Sequence, residues 1–326
     1  MVNRTLVSLV ALAVGAGALV ALAAFSGSAD AKPRSENGRI AFGRFDPNLG
    51  DTVLYTVNPD GSDERQVLPD PIECPHWSPD GTRIATCGDP SGGSSRIIDP
   101  SDGTYRIVPN PDPANLFLPC FVWTPDGQGL ACEGFGLADP SLNGIQTIRV
   151  SDGGGLTRIT SNPGGDDIPG DYSPDGHRLV FARLTEDGPV GLFVVNANGT
   201  GLKQITPTGT LFSSFGSWSP QGNEIVFSQH ATFDARSSIW VVHADGSGLR
   251  RVPVQPASAC GGAFAEPGSN GCFGPAWSPD GTEIVFAKGT SGDSDSNLYA
   301  VHEDGTGLHQ ITHGGRDQSP DWGVVP

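Results

Sequence analysis

The sequence predicts an all-β protein, a six-bladed β-propeller of four-stranded antiparallel blades, with the ring closed by the C-terminal strand joining the N-terminal blade. A motif of one aromatic residue followed by Ser-Pro-Asp-Gly, or a close variant, recurs at intervals of roughly 45 to 60 residues. Each copy is followed by short apolar segments, and a repeat of this kind is typical of propeller blades. The aromatic residues of the five full copies and of a truncated last copy are Trp77, Trp123, Tyr172, Trp218, Trp277 and Trp322.

Each copy of the motif predicts a tight turn that leads into a strand. In the copy at residues 77–81, Ser78 and Pro79 hold the first two positions of a type I turn, and Gly81 holds the fourth. Glycine can adopt the positive φ that brings the chain into the next strand. The turn is followed by a segment rich in β-branched and aromatic residues, such as residues 178–181, which favours a strand.

Two further strands and a second turn complete each repeat. Residues 192–195 predict a strand before a turn that contains Gly199, and residues 203–206 predict a short fourth strand after it. Other repeats show the same order, so the predicted blade is an up-and-down meander of four strands.

The first repeat lacks the motif at its front. It begins directly with predicted strands at residues 39–42, 53–57 and 65–68. The missing strand is supplied by residues 318–322 at the other end of the chain. A first blade built from both termini closes the ring, which leaves only short, protected sheet edges.

The motif, together with the Asp-Gly-x-Gly-Leu pattern of the second turn, resembles the WD-repeat-like propeller repeat of TolB and its relatives. The resemblance covers roughly residues 38–324 in six copies. It implies the fold, but such propellers serve both as docking scaffolds and as non-catalytic domains of peptidases. TolB itself carries an α/β domain before its propeller. Here only residues 32–37 separate a predicted cleavage site from the first strand, so neither that domain nor a Tol–Pal role is expected.

The first 31 residues predict a signal peptide, and residues 32–326 predict the propeller domain. Arg4 precedes an apolar run over residues 6–25, and Ala29 and Ala31 form a small-x-small cleavage pattern. An uncleaved membrane anchor is the alternative, because a run of about 20 residues can span a bilayer. Either way the propeller is expected outside the cytoplasm, as a secreted, periplasmic or cell-surface domain.

The formal net charge of −17 argues against nucleic acid or anionic lipid as a partner. Phosphate groups are bound by clusters of lysine and arginine, and the sequence shows no such cluster. Solubility is the simpler explanation of the charge. We expect a monomer that binds an unidentified protein or cell-envelope partner and contacts a membrane only through an uncleaved N-terminal segment.

The six cysteines fit an oxidising compartment and predict three disulfides. If Ser78 faces Arg83 across the turn, Cys74 lies directly opposite Cys87. The corresponding pair in the next blade is one residue out of register, so it needs a β-bulge or another arrangement. A metal site at these cysteines is not indicated, and no cofactor is expected. The predicted pairs are Cys74–Cys87, Cys120–Cys132 and, within one inserted loop, Cys260–Cys272.

The meander places the short turns on one face of the disc and the other connections on the opposite face. We call these the repeated-turn face and the variable-loop face. Binding residues usually lie in variable loops on a rigid scaffold, so the variable-loop face is the predicted functional face. Its connections are residues 46–52, 88–95, 133–144, 183–190, 228–237 and 288–297 within blades, and 69–74, 109–119, 161–169, 207–215, 253–275 and 313–318 between blades.

Three acidic residues are candidates for a site at the mouth of the central channel. Asp167 and Asp317 each lie five residues before a repeat aromatic, and Asp166 precedes the first of them. They could bind a cation or a basic peptide segment. They could equally cap backbone amides at the start of a strand.

Aromatic residues are the second group of candidates on this face. Phe264 and Phe273 lie in the longest loop, residues 253–275, which could be a recognition element or an insertion kept ordered by its disulfide. Four further phenylalanines flank other blade junctions, and at most two of them are expected to be exposed. They are Phe117, Phe121, Phe212 and Phe215.

No catalytic motif supports an enzyme. The sequence has neither a Gly-x-Ser-x-Gly elbow nor a His-Glu-x-x-His helix. We therefore expect a non-catalytic extracytoplasmic propeller that mediates protein–protein or cell-envelope interactions through its variable-loop face. The alternatives are a hydrolase or lyase at the channel mouth, metal-assisted by Asp167 and Asp317, and a glycan-binding module.

Overall fold

The described part of the chain is built almost entirely from β-strands. The computed structural model describes residues 35–87, 94–212, 216–230, 237–255, 260, 271–289 and 296–326. The predicted signal peptide, Phe215 and Phe264 lie outside these residues. In chain order the strands are β1 (Asn37–Asp46), β2 (Asp51–Val57), β3 (Arg65–Pro71), β4 (His76–Trp77), β5 (Ile84–Cys87), β6 (Ser95–Ile98), β7 (Tyr105–Val108), β8 (Leu116–Phe117), β9 (Cys120–Trp123), β10 (Gly129–Gly136), β11 (Gly144–Arg149), β12 (Thr157–Arg158), β13 (Asp167–Tyr172), β14 (Arg178–Thr185), β15 (Gly188–Asn196), β16 (Lys203–Gln204), β17 (Leu211–Phe212), β18 (Ser217–Trp218), β19 (Glu224–His230), β20 (Ser238–His243), β21 (Arg250–Arg251), β22 (Cys272–Trp277), β23 (Ile284–Gly289), β24 (Ser296–Val301), β25 (His309–Gln310) and β26 (Asp317–Val324).

The strands pair into antiparallel sheets, and each sheet is one blade of a six-bladed propeller. This confirms the predicted fold. The strand orders are β26-β1-β2-β3 in blade 1, β4-β5-β6-β7 in blade 2, β8-β10-β11-β12 in blade 3 with β9 also on β10, β13-β14-β15-β16 in blade 4, β17-β19-β20-β21 in blade 5 with β18 also on β19, and β22-β23-β24-β25 in blade 6.

The two ends of the described chain meet in blade 1. Strand β26 pairs with β1, with Ile40 opposite Trp322 and Arg44 opposite Asp317. The C-terminal strand therefore supplies the innermost strand of the first blade, as the missing motif at the front of the chain predicts.

The hydrophobic core lies between the blades. Six clusters of buried side chains fill the six blade interfaces in the described part of the chain. In the cluster between blades 1 and 6, Ile40 and Phe42 pack with Val285 and Leu298. The core is thus spread around the ring, and each blade is stabilised by both of its neighbours.

One position of the second strand of each blade shows how the repeat fills this core. Phenylalanine occupies it in four blades and is fully buried there. Blades 2 and 3 have smaller residues, and they are the two blades whose inner strands are joined by a disulfide. In chain order the position holds Phe42, Thr86, Cys132, Phe181, Phe227 and Phe286.

The repeated turn is held by its own side chains. In blade 2, Ser78 Oγ accepts a hydrogen bond from the Arg83 N–H at 2.9 Å and donates one to Asp80 at 2.5 Å. Gly81 has a φ of 69°, and its N–H donates to the Ser78 carbonyl at 2.9 Å. The motif aspartate therefore stabilises the turn. The same hydroxyl–carboxylate contact is made by Asp126, Asp175 and Asp280.

Three disulfides link inner strands or loops near the variable-loop face, and they are the three pairs given above. In blade 2, His76 lies opposite Ala85, which is the register that places Cys74 against Cys87. In blade 3, Cys120 pairs with Cys132, and a register shift follows directly. That shift is the β-bulge that the second pair requires.

Some connections on the variable-loop face are shorter than the sequence indicates. Strands β1 and β2 stay paired to Asp46 and Asp51, and β14 and β15 to Thr185 and Gly188. The predicted loops at residues 46–52 and 183–190 are therefore tight hairpins. No helix in the described ranges is long and apolar enough to cross a membrane.

Candidate functional site

The variable-loop face is anchored by a buried aspartate in blade 4. Asp167, the first residue of β13, is fully buried, and Arg183 on β14 binds both of its carboxylate oxygens, at 2.7 and 2.6 Å. Asn162 donates to the same carboxylate at 3.2 Å. The guanidinium lies over the rings of Phe181 and Phe193. Asp167 is thus neutralised within the chain.

Blade 1, opposite blade 4 in the ring, has the same arrangement. Asp317, the first residue of β26, is fully buried and accepts two hydrogen bonds from Arg44 at 2.6 and 3.0 Å. Here the arginine also binds Glu64, and Thr312 donates to Asp317. The Arg44 guanidinium lies over Tyr55 at 4.7 Å from the ring centroid.

The two sequence candidates Asp167 and Asp317 therefore lie at equivalent positions, but neither offers a free carboxylate to a ligand. Their partners are arginines rather than the backbone amides considered above. The sequence contains a signal for this pairing, because Arg44 and Arg183 occupy the same position after a buried phenylalanine. Blade 6 has Lys288 at that position, 4.5 Å from the Tyr299 ring centroid, and no aspartate opposite it.

Asp166 belongs to a different pair of carboxyl groups, at the junction of blades 3 and 4. Burial, and then the neighbouring charge of Asp167, raises the pKa of Asp166. Burial, and then the charge of Asp166, raises the pKa of Glu133 to about 7. Asp166 Oδ1 is buried without a hydrogen-bond partner among the described residues. Sequence analysis did not single out Glu133, because only the fold brings β10 beside the start of β13.

A second set of titratable side chains faces the central channel. Asp171 and Asp321 each precede a repeat aromatic, and each accepts a hydrogen bond from the backbone N–H of the tryptophan in the following blade. The donor to Asp171 is Trp218 at 2.9 Å, and the donor to Asp321 is Trp77 at 2.6 Å. Burial is the main cause that raises the pKa of Asp171 to about 7, and it also raises the pKa of Asp321. Burial lowers the pKa of His76. Through these hydrogen bonds, Asp171 and Asp321 join neighbouring blades at their innermost strands.

The aromatic candidates differ in exposure. Phe273 on β22 is half-buried and packs against the core between blades 1 and 6. Phe121 is buried, whereas Phe117 is 60% exposed. Phe135, which the sequence did not single out, lies directly opposite Phe117 on β10 and is 40% exposed. Phe117 and Phe135 therefore form an exposed aromatic pair on blade 3. The side chains of Phe212, Phe215 and Phe264 lie outside the described part of the structure.

In the described ranges, no three histidine, cysteine or acidic side chains are grouped closely enough to hold a metal ion. Asp167 and Asp317 are each bound by an arginine. For Glu133 and Asp166, burial and a neighbouring carboxylate raise the pKa, and no cation is among the causes.

Comparison with solved structures identifies the fold. TolB from Acinetobacter baumannii superposes with a TM-score of 0.67 at 21% identity, over 87% of this chain and 66% of that one. A putative TolB from Agrobacterium tumefaciens gives a TM-score of 0.62 at 19% identity, over 86% and 91%. An oligogalacturonate lyase in complex with manganese gives 0.53 at 15% identity, over 84% and 74%.

No family model matches the sequence. The chain spans about two thirds of the Acinetobacter TolB chain. At these identities the similarity establishes a TolB-like propeller fold, which proteins of different function share.

Proposed function

We propose that this TolB-like propeller is a non-catalytic extracytoplasmic module that binds a protein or cell-envelope partner through its variable-loop face. The observation that carries the proposal is the contrast between the two faces of the disc. One face repeats the same hydrogen-bonded turn, while the other presents connections of different length and chemistry. Such variety on a fixed scaffold is the usual arrangement of a binding surface.

In the described structure, the inner strands are cross-linked where they end at the variable-loop face. Two buried arginine–aspartate pairs fix the inner strands of blades 1 and 4 at this face. Disulfides fix the inner strands of blades 2 and 3 and the start of β22. A surface that is already ordered loses little conformational entropy when a partner binds.

The three disulfides support a location outside the cytoplasm, since such bonds persist in oxidising compartments. The predicted signal peptide agrees with that location. The structural similarity to two TolB proteins supports a role in interactions between proteins.

Affinity capture from a cell-envelope fraction, with the folded chain as bait, tests this function. Charged substitutions at three exposed positions of the variable-loop face, Leu49→Lys, Phe117→Lys and Glu186→Lys, made together in one chain, should abolish capture of a specific partner. Leu156→Lys and Leu202→Lys on the repeated-turn face should leave it unchanged. Capture that is lost only with the second set, or that no substitution affects, would reject this face as the binding surface.

One observation favours an enzyme as the second candidate. Glu133 and Asp166 are two close carboxyl groups with raised pKa values, and a carboxyl group with a pKa of about 7 can act as a general base or acid at neutral pH. One structural neighbour is an oligogalacturonate lyase. Two carboxyl groups of this kind are the catalytic arrangement that most glycoside hydrolases use.

This candidate is tested by assaying the purified chain on oligogalacturonate and other acidic oligosaccharides, with and without manganese. Turnover that Glu133→Gln abolishes, while the melting temperature stays unchanged, would support it. Turnover that survives the substitution would exclude Glu133 as the catalytic group. Absence of turnover on the whole panel would leave the binding function as the one to pursue.

A further inference from the structure

We propose that an apolar ribbon on blade 3 binds an extended peptide segment of the partner, in which a large apolar side chain lies close to a lysine or arginine. The ribbon consists of β8 and the end of β10, with Phe117, Phe135 and Leu137 on its exposed side. This inference rests on the proposed function, to which it adds a location and a partner chemistry.

The ribbon continues blade 3 beyond the rest of its sheet. Strand β11 pairs with β10 only as far as Gly134, whereas Phe135 and Gly136 pair with β8. The Leu137 N–H then donates to the Asn115 carbonyl at 2.9 Å. The exposed side of the ribbon is therefore backed by a regular hydrogen-bonded ladder.

The two sides of the ribbon have different environments. Leu116 and Leu118 point into the protein and are 3% and 1% exposed. Phe117, Phe135 and Leu137 point outward and are 60%, 40% and 58% exposed. Three large apolar side chains side by side on an ordered strand pair form the kind of patch that marks an interaction site. The buried leucines already serve the core, so packing does not explain the outward residues.

The same side of β10 also carries an acidic side chain, two residues before Phe135. Side chains alternate along a strand, so Glu133 lies on the side of Phe135 and Leu137, beside Asp166. The nearby Arg183 is bound to Asp167 and to the Ser161 carbonyl. A cation of the partner would therefore meet two carboxyl groups that no arginine neutralises in the described structure, and it would favour their ionised forms. Asp166 Oδ1 is buried there without a hydrogen-bond partner.

Charge also discriminates between the possible occupants. A second copy of this chain also carries a net charge of −17, so pairing two such patches would bring like charges together. An anionic lipid surface would be repelled for the same reason. A neutral glycan could pack on the phenylalanine rings but would leave Glu133 and Asp166 uncompensated. A peptide with an apolar and a cationic residue satisfies both parts of the surface.

The test uses a random dodecapeptide display library selected against the folded full-length chain. Enriched peptides should combine an aromatic or large aliphatic residue with a nearby lysine or arginine. For synthetic copies, Phe117→Ser and Phe135→Ser should each weaken binding about tenfold or more. Glu133→Gln should weaken it severalfold and reduce its salt dependence. Leu156→Ser and Leu202→Ser, on the repeated-turn face, are the matched controls and should have no effect.

Enriched peptides that lack a cationic residue, or whose binding survives both phenylalanine substitutions, would overturn the proposal. Binding that depends instead on Leu49 or Glu186 would overturn it while keeping the proposed function. A concentration-dependent dimer in sedimentation, abolished by Phe117→Ser, would show that a second copy covers the ribbon. If no peptide is enriched while a captured envelope partner is unaffected by Phe117→Ser, the ribbon is not the docking surface.

Discussion

At the scale of single residues, the buried arginine–aspartate pairs are interactions whose loss should be costly. Removing one partner leaves an uncompensated charge in a poorly hydrated site, whereas an exposed ion pair contributes little. The side chains of Arg183 and Arg44 are 16% and 15% exposed, and their aspartates are fully buried. The two sites differ in one respect, since Arg44 also has Glu64 as a partner.

Asp167→Ala should therefore destabilise the protein by about 3–5 kcal/mol, because Arg183 loses its only carboxylate partner among the described residues. Asp317→Ala should cost less, since Glu64 remains bound to Arg44. Chemical denaturation at neutral pH measures both. Arg149→Ala removes an exposed pair with Asp152 and leaves the hydrogen bond from Gly154 to that aspartate intact, so it is the control and should change nothing measurable. Equal losses at Asp167 and Asp317 would show that Glu64 contributes no compensation.

The sequence predicted the two aspartates but not their arginines. The motif spacing alone aligns Asp167 with Asp317, because each lies five residues before the aromatic residue of its repeat. Arg44 and Asp317 are 273 residues apart, and only the closure of the ring brings them together. Glu133 and Asp166 meet for a similar reason, across two neighbouring blades. Arg183, in contrast, lies directly opposite Asp167 within one repeat, so counting the cross-strand register could have found it.

Asp171 gives a prediction for pH dependence. Its pKa is about 7 in the folded state against about 3.9 in the unfolded chain, so the folded state binds the additional proton between these values. The free energy of unfolding therefore falls as the pH rises from about 4 to 7, and it stays at the lower value above pH 7.

Asp171→Asn, which keeps an acceptor for the Trp218 N–H, should be more stable than wild type at pH 8, by on the order of 2–4 kcal/mol. The difference should vanish near pH 4. Melting curves across this pH range measure it. Asp126→Asn is a control of opposite sign, because hydrogen bonds from Thr124 and Gln128 lower the pKa of Asp126. A stability difference for Asp171→Asn that does not change with pH would contradict the raised pKa.

At the scale of secondary-structure elements, the turn motifs predicted the order of the strands but not their lengths. Ser-Pro-Asp-Gly turns mark where one strand ends and the next begins, since their own hydrogen bonds require that geometry. The far ends of the strands have no such motif. Strand β1 continues to Asp46 and β10 to Gly136, through polar residues and glycines that carry no strand signal. The ribbon on blade 3 was missed for this reason.

The disulfides allow a prediction at this scale. Cys120 and Cys132 are fully buried, whereas Cys74 and Cys87 are only half-buried. The two bonds close loops of similar length, with sequence separations of 12 and 13, so the chain-entropy contribution should be similar, about 2–3 kcal/mol.

Cys120→Ala/Cys132→Ala should therefore cost more than Cys74→Ala/Cys87→Ala, because it also removes buried sulfur atoms from the core between blades 2 and 3. Denaturant unfolding of both double variants under non-reducing conditions measures the difference. Equal costs would mean that loop closure accounts for the whole effect. A larger cost in blade 2 would contradict the burial argument.

At the scale of the whole molecule, the ring is a set of similar blades with similar interfaces and two dissimilar faces. The described structure repeats one hydrogen-bonded turn on one face and varies the connections on the other. Function is expected where the repeat is interrupted, since residues that only maintain the fold can follow the repeat. The paired acids and the apolar ribbon both lie on the variable-loop face at blade 3, where Glu133 and Phe135 depart from the repeat.

Site-specific photo-crosslinking in cells tests the central claim most directly. A photoreactive amino acid is placed at Leu49, Phe117 or Glu186 on the variable-loop face, and at Leu156 or Leu202 on the repeated-turn face. If the variable-loop face is the binding surface, the first group should give a discrete crosslinked partner, strongest from Phe117, and the second group none. Crosslinks from Leu156 or Leu202 alone, with the protein folded and correctly exported, would contradict it.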